Sequence, residues 1–347
     1  MALLAQLADG EDYRPCTWDL RADAAGRAYW VEHFCRHVEV LAPLIAEEYA
    51  DAAAQLPEFR AAYTALFREL DAHPEQYERV DVLLLDELRA GLLARYGFDD
   101  PFRGIKRREN HAALELLPSL LAELDASPPG DEQEKLVSGL LAGNLFDLGA
   151  WPTVERYRNG DPGFRHTRAS LAPRPWRYDN VSAWRRHWET PPRHVLFFVD
   201  NAGSDIVLGC LPLARWMLKL GARVTLAANS GPALNDITAA ELVRLLERCR
   251  TLDAQLAGAC GDGRLSVQPT GSTAPLLDLS RLHPGFVAAT RDADLIILHG
   301  MGRAVESNFD ARLHADTLWT AVLKDEAVAA HFNAGLFDCI FRFCPAT

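Results

Sequence analysis

Apolar positions recur along this chain in two rhythms. Up to about residue 150 they fall three and four apart, in "YWVEHFCRHVEVLAPLIAEEYADAAAQL", "RVDVLLLDELRAGLLARYGF" and "EKLVSGLLAGNLF". That spacing paints one apolar stripe along a helix. Pro57, Pro74, Gly97 and the Pro128-Pro129-Gly130 break punctuate the stretch, and no repeat period is visible. From about residue 193 the runs shorten to strand length: "HVLFFV", "RVTLAAN", "RLSVQP", "ADLIILH" and "FDCIFRF". Longer segments such as "DIVLGCLPLARWMLKLG" and "DITAAELVRLLERCR" separate them, while "TLWTAVLK" fits either period and is assigned to a strand. Strands alternating with helices predict an α/β fold with a mainly parallel sheet covered on both faces. The expected organisation is an α-helical domain over 1–150, a connecting segment over 151–192 and an α/β domain over 193–347.

The connecting region changes the picture in composition. Residues 151–193 hold nine arginines and four of the eight tryptophans, as in "RPWRYDNVSAWRRHWETPPRH". Interleaved basic and aromatic residues can bind single-stranded nucleic acid. The net charge of −12 argues against that, and against an anionic membrane as partner. The rings are therefore expected to pack between the two domains, with the arginines paired to acidic groups. Seven cysteines at scattered positions, with no Cys-x-x-Cys pair, read as reduced thiols. With no signal-peptide pattern at the start and no apolar run of membrane-spanning length, a cytoplasmic protein is expected. Oligomeric state is left open.

Ligands of open α/β sheets bind beyond the carboxyl ends of the strands. The residues that follow each predicted strand are Asp200-Asn201, then Ser230-Gly231 through Asn235-Asp236, Thr270-Gly271-Ser272, Gly300-Met301-Gly302-Arg303, and Lys324. Each has a plain reading alone. Asp200-Asn201 is turn chemistry, Asp236 with Thr238 suits a helix cap, Gly300-Met301-Gly302 is a weak glycine signal, and Arg303 alone suits the surface. His33 and His37 share a helical face without a third ligand and are assigned structural roles. Asn144 and Asp147 suit either a helix-terminal turn or a site. Together, five strands deliver carboxylates, amides, hydroxyls, glycines and two cations to one edge. The chain lacks a phosphate-binding P-loop, His-Glu-x-x-His, a Gly-x-Ser-x-Gly elbow and a strand-linked Gly-x-Gly-x-x-Gly. What remains points to metal-dependent phosphoryl transfer or hydrolysis.

The stretches "VDNAGSDIVLG", "NSGPALNDIT", "TGSTAPLLDLSRL", "ADLIILHGMGRAVESNF" and "AVLKDEAVAAHF", with "DPFRGIKRREN" and "AGNLFDLGA" before them, resemble the metal-dependent damage-control phosphatases. The subgroup most similar is the phosphatase domain fused to atypical eukaryotic pantothenate kinases, and the likeness spans roughly residues 95–345. With no kinase-like segment preceding the motifs, a free-standing version is expected. The resemblance implies a Rossmann-like αβα sandwich packed on the helical domain. It implies that Asp200, Asn201 and Asp236 ligate a divalent cation (manganese, cobalt, nickel or magnesium). It further implies hydrolysis of 4′-phosphopantetheine and its oxidised derivatives. His299 departs from the pattern, standing where a carboxylate is expected, and Ala202 stands in place of serine.

In this reading Asp200 and Asp236 are catalytic through the metal, and Lys324 and Arg303 neutralise the phosphoryl oxygens. Backbone N–H groups near Gly231 and Gly271 help, and Asn235, Ser230, Ser272 and Asn144 contact substrate. An aspartyl-phosphate route, with Asp200 or Asp236 as nucleophile, competes with attack by metal-activated water. Phe102, Trp176, Tyr178 and Trp184 are candidate walls for a pantetheine arm. Lys106 and the arginines between 156 and 186 are candidates to meet an oxidised sulfur. The partner is a small phosphorylated metabolite. Rival readings are a phosphatase of sugar phosphates or nucleotides, an S-adenosylmethionine-dependent carboxyl methyltransferase, and a non-catalytic metabolite-binding protein.

Overall fold

A computed structural model describes residues 1–8, 10, 12–145 and 163–346. Helices occupy most of the N-terminal half: α1 (Ala24–Glu48), α2 (Leu56–Ala72), α3 (Val82–Arg95), α4 (Arg103–Asp125) and α5 (Pro129–Leu145). Local chemistry sets their starts. The Asp23 carboxylate accepts from Gly26 N at 2.9 Å and opens α1, and Asp81 accepts from Leu84 N at 2.9 Å and opens α3. The Pro128-Pro129-Gly130 break falls between α4 and α5, with Pro129 as the first residue of α5.

Seven strands form one sheet: β1 (Tyr178–Asp179), β2 (His194–Phe198), β3 (Arg223–Ala228), β4 (Leu265–Pro269), β5 (Leu295–His299), β6 (Asp316–Val322) and β7 (Cys339–Cys344). Their spatial order is β1-β7-β6-β5-β2-β3-β4. Every neighbouring pair is parallel except β6 with β7. The ambiguous "TLWTAVLK" is strand β6. The connecting segment is more than a linker, because Tyr178–Asp179 pairs with Ile340 and Phe341 as an edge strand.

Side chains of a strand alternate between the two faces of the sheet, and the core divides accordingly. Leu196, Phe198, Ile296, Leu298, Trp319 and Ala321 join Trp30, Phe34, Leu41, Phe59 and Phe67 from α1 and α2. Val195, Phe197, Leu295, Ile297, Leu318 and Val322 join Leu114, Leu117, Leu140 and Leu141 from α4 and α5. Each such buried side chain contributes about 1.5–3 kcal/mol of transfer free energy. Both hydrophobic clusters thus combine residues from before 150 with residues from after 193.

β2 and β5, the central neighbours, end alike. Each runs into a short loop and then a π-helical turn, Asp205–Cys210 after β2 and Met301–Glu306 after β5. Such turns, one residue wider than an α-helical one, cluster at functional sites. α5 approaches the first turn closely: a Cβ on Gly143 would lie 2.8 Å from Asp205 Cα, so only glycine allows this contact.

Candidate active site

The loop after β2 carries Asp200 and Asn201, and the loop after β3 carries Asn235 and Asp236. A bridge between Asn201 and Asp236 and a bond from Ile237 N to Asp200 O at 3.0 Å tie the two loops together. Asp200, Asn201, Asn235 and Asp236 all line one cavity of about 80 Å³. All four are at least nine-tenths buried. Gly300 makes room for the first carboxylate: its φ is +98°, and a Cβ there would sit 2.2 Å from Asp200 Cγ.

Arg303, on the second π turn, is 2% exposed and bridges the two acids. Its guanidinium bonds Asp200 Oδ1 and reaches Asp236 Oδ2 at 2.5 Å. Burial works against its charge, and Asp236 and Asp200 outweigh burial, so the arginine holds its proton more firmly than usual.

Asn201 is fixed from behind. Its Nδ2 donates to Asp200 Oδ2 at 2.9 Å and to Asp205 Oδ2 at 3.2 Å, leaving Oδ1 as the amide atom for the cavity. Asn144, at the end of α5, does the same, donating Nδ2 to Asp200 Oδ2 at 3.0 Å and to Asp205 Oδ2 at 3.2 Å. Lys324 Nζ, fully buried, donates to the Asn144 carbonyl at 2.8 Å.

Asp205 was not singled out from the sequence, although it lies inside the quoted "VDNAGSDIVLG". It is fully buried and accepts from three amide N–H groups, Asn201 N at 3.0 Å being the third. His299 Nε2 lies 2.7 Å from its Oδ1, and His299 Nδ1 lies 2.8 Å from Thr320 Oγ1. Burial raises the Asp205 carboxyl, but the charge and hydrogen bond of His299 outweigh it, and the net shift is downward. The histidine that departs from the expected carboxylate is therefore the partner of this buried acid.

Two groupings have metal-ligand chemistry. Asp205, Cys210 and His299 bring ligand atoms within 4.8 Å of one another. That trio is sealed from solvent, both His299 nitrogens are engaged, and burial pushes the Cys210 thiol well above its ordinary range, away from the thiolate a metal needs. The second grouping, Asp200, Asn201 Oδ1 and Asp236, offers only oxygen atoms and opens on the cavity. Five carboxylates line that cavity (Asp86, Asp200, Asp236, Glu306 and Asp325), against Arg89 in the wall and Arg303 behind it. Hard oxygen donors in a surplus of negative charge fit a divalent cation.

Other expected residues lie elsewhere. Ser230, Gly231, Gly271 and Ser272 are outside this cavity's walls. The Gly271 N–H donates to Ser230 Oγ at 2.8 Å and Ser230 N donates to Ser272 O at 2.8 Å, so these residues clasp two loops together. Lys324 is likewise absent from the cavity wall. Trp184 and Trp176 are packed in the core, and Tyr178 sets its ring against Phe309. Lys106 is paired with Asp100 at 3.2 Å and Glu241 at 3.0 Å. Arg168, Arg174 and Arg185 pair with Glu123, Asp179 and Glu134. The expectation of arginines paired to acids holds for these three, and Lys106, held between two carboxylates, is not in the wall of this cavity. Asp147, Arg156 and Arg158 lie outside the described residues. Asp86, Arg89, Glu306 and Asp325, all in the cavity wall, were missed, and His33, set aside as structural or solvated, lines it too, its Nδ1 3.7 Å from Asp325 Oδ2. Among the described residues no helix is long and apolar enough to cross a membrane.

Residues 36–340 match the model of the damage-control phosphatase ARMT1-like domain. The chain is 36% identical to a damage-control phosphatase of Arabidopsis thaliana over 84% of this chain and 80% of that protein. It is 36% identical to pantothenate kinase 2 of the same plant over 98% of this chain and 41% of the relative. A protein of Mus musculus named 4′-phosphopantetheine phosphatase is 33% identical over 98% of this chain and 48% of its own length. The chain thus spans less than half of these last two. A crystal structure of a DUF89 family protein from Pyrococcus horikoshii superposes with a TM-score of 0.57 at 17% identity, covering 94% of this chain and 99% of that one, which supports the fold.

Proposed function

Because the chain belongs to the damage-control phosphatase ARMT1-like family, a family of metal-dependent phosphatases, we propose that it hydrolyses 4′-phosphopantetheine and its sulfur-oxidised derivatives at the cavity beneath β2 and β3. One observation supports the reading: among the described residues five carboxylates face this cavity against two arginines, a surplus of negative charge that a multivalent cation would offset for a phosphate dianion.

Asp200, Asn201 through Oδ1, and Asp236 hold that cation in this reading, with manganese, cobalt, nickel and magnesium as candidates. When bound, the ion supplies charge neutralisation and a more acidic water. The chain's own groups do the rest. Asn144 and Asp205 hold Asp200 and Asn201 at fixed angles, so the donors need little reorganisation. With a cation held by Asp200 and Asp236, the Arg303 guanidinium beside them would be placed to donate to the phosphoryl oxygens. Asn235, in the cavity wall, orients the ester. Lys324 acts from behind, through Asn144. The name of the mouse relative supports the pantetheine ester as substrate.

The test is phosphate release from a panel of phosphomonoesters with each candidate metal in turn. Preference for 4′-phosphopantetheine or its sulfonate, lost on chelation, is expected. Higher kcat/KM for fructose 1-phosphate or a nucleoside monophosphate would overturn the substrate assignment, and full activity after exhaustive chelation would overturn the metal.

A further inference from the structure

Beside the phosphoryl cavity lies a second and larger one, about 210 Å³ against about 80 Å³. The two share Asp86, Arg89, Leu234 and Pro275 in their walls. The second is otherwise mostly apolar, with Ala90 and Leu93 from α3 facing Phe102, Pro232 and Ala233.

Three buried polar groups, Asp86, Arg89 and Asp100, interrupt that lining, and Asp99 and Thr273 stand at its exposed side. At the junction stands Arg89, 6% exposed, its guanidinium held by Asp86 and set 5.0 Å over the Phe34 ring. A guanidinium carries five N–H donors in a rigid fork, so one pairing leaves others for a ligand. In the second cavity stands Asp100, 5% exposed. Its Oδ2 pairs with Lys106 at 3.2 Å, while its Oδ1 is buried with no hydrogen-bond partner among the described residues. A buried carboxylate oxygen without a donor is costly, and a water, an ion or a ligand N–H can supply what is missing.

We infer that the second cavity receives the arm of the substrate, that this arm is an extended chain bearing a secondary amide, and that Arg89 and Asp100 determine its specificity. Arg89 donates to a carbonyl oxygen, and Asp100 Oδ1 accepts from an amide N–H. The apolar walls take the methylenes between. A sugar phosphate is compact and fills the first cavity without reaching Asp100. The inference rests on the phosphatase reading of the adjoining site and adds which residues read the leaving group.

Two substrates separate the two claims: 4′-phosphopantetheine, which has the arm, and ethyl phosphate, an equally unactivated primary alkyl ester that lacks it. The measurement is the ratio of their kcat/KM values on the full metal-loaded chain. Asp100→Asn turns a donor toward the amide N–H, and Ala90→Leu fills the cavity from α3. Each should lower the ratio about tenfold, mainly through KM for the armed substrate. Ala90→Leu leaves the Asp100–Lys106 pair intact and decides the matter if Asp100→Asn does not fold. A wild-type preference for the armed substrate that survives both variants within about twofold would overturn the inference alone. A wild-type enzyme with no preference for the armed ester would overturn the substrate assignment and the inference with it.

Discussion

The connections that follow β2 and β5 both lead into a π turn, and they bring opposite charges to the site. The first carries acids, Asp200 at its loop and Asp205 in its π turn; the second carries His299 at its strand end and Arg303 in its π turn. They pair crosswise, Asp200 with Arg303 and Asp205 with His299. The pairs differ in what surrounds them. Asp200 opens on the cavity and shares Arg303 with Asp236, whereas Asp205 and His299 are sealed at zero exposure. A pair open to a ligand can exchange its partner; a sealed one can only hold its neighbours in place.

The largest expected effect tests the open pair. Asp200→Ala should cut phosphate release by on the order of a hundred- to a thousandfold while the protein stays folded, since one preorganised electrostatic group is removed. Near wild-type turnover with any metal would erase the distinction between the pairs. Next is the sealed pair. Asp205→Asn orphans His299 and weakens the anchor of Asn201 and Asn144, and should lower unfolding free energy by about 3 kcal/mol in urea titrations. A loss of activity with unchanged stability would instead assign Asp205 to the chemistry.

Smaller again is His299→Gln, which keeps a donor for Asp205 and loses the ring. About 1–2 kcal/mol of stability should go, with kcat/KM reduced far less than in Asp200→Ala. The smallest effect sets a scale against solvent. Asp125, 42% exposed, takes a bidentate bond from Arg215 at 2.8 Å, and these bonds, helped by Lys219, lower its carboxyl to about 2. A lowered folded value means stability present above the ordinary Asp range and lost as pH falls from about 4 towards 2. Exposure screens the pair, so Asp125→Asn should flatten the acid limb of stability by less than about 1 kcal/mol.

The sequence made the strands and the residues at their carboxyl ends legible because short continuous apolar runs and strand-end position are local signals. Asp200, Asn201, Asn235, Asp236 and Arg303 were found that way. Asp205 was hidden because an acid before "IVLGC" reads as the first turn of a helix, and its partners Asn144 and His299 are 61 and 94 residues away. Arg89 and Asp86 were hidden for a similar reason. On a helix, polar residues at i and i+3 look like a solvated face, and only the docking of α3 against the loops around Leu234 and Pro275 turns them inward. Strand β1 was too short, at two residues, to leave a period at all.

The division of the core has a consequence for how this chain is made. Leu4, Leu41 and Phe67 finish their packing against Leu298, Trp319 and Ile340, and Ala2 and Leu4 donate backbone bonds to Leu282 and Leu279. On a ribosome adding about 5–20 residues per second, α1 waits about 15–60 s for β7 to appear. The first helices therefore emerge long before the surface that buries them. A ribosome-bound fragment ending near residue 150 should remain open to protease along α1 and α2, and release of the last strand should be the event that closes them.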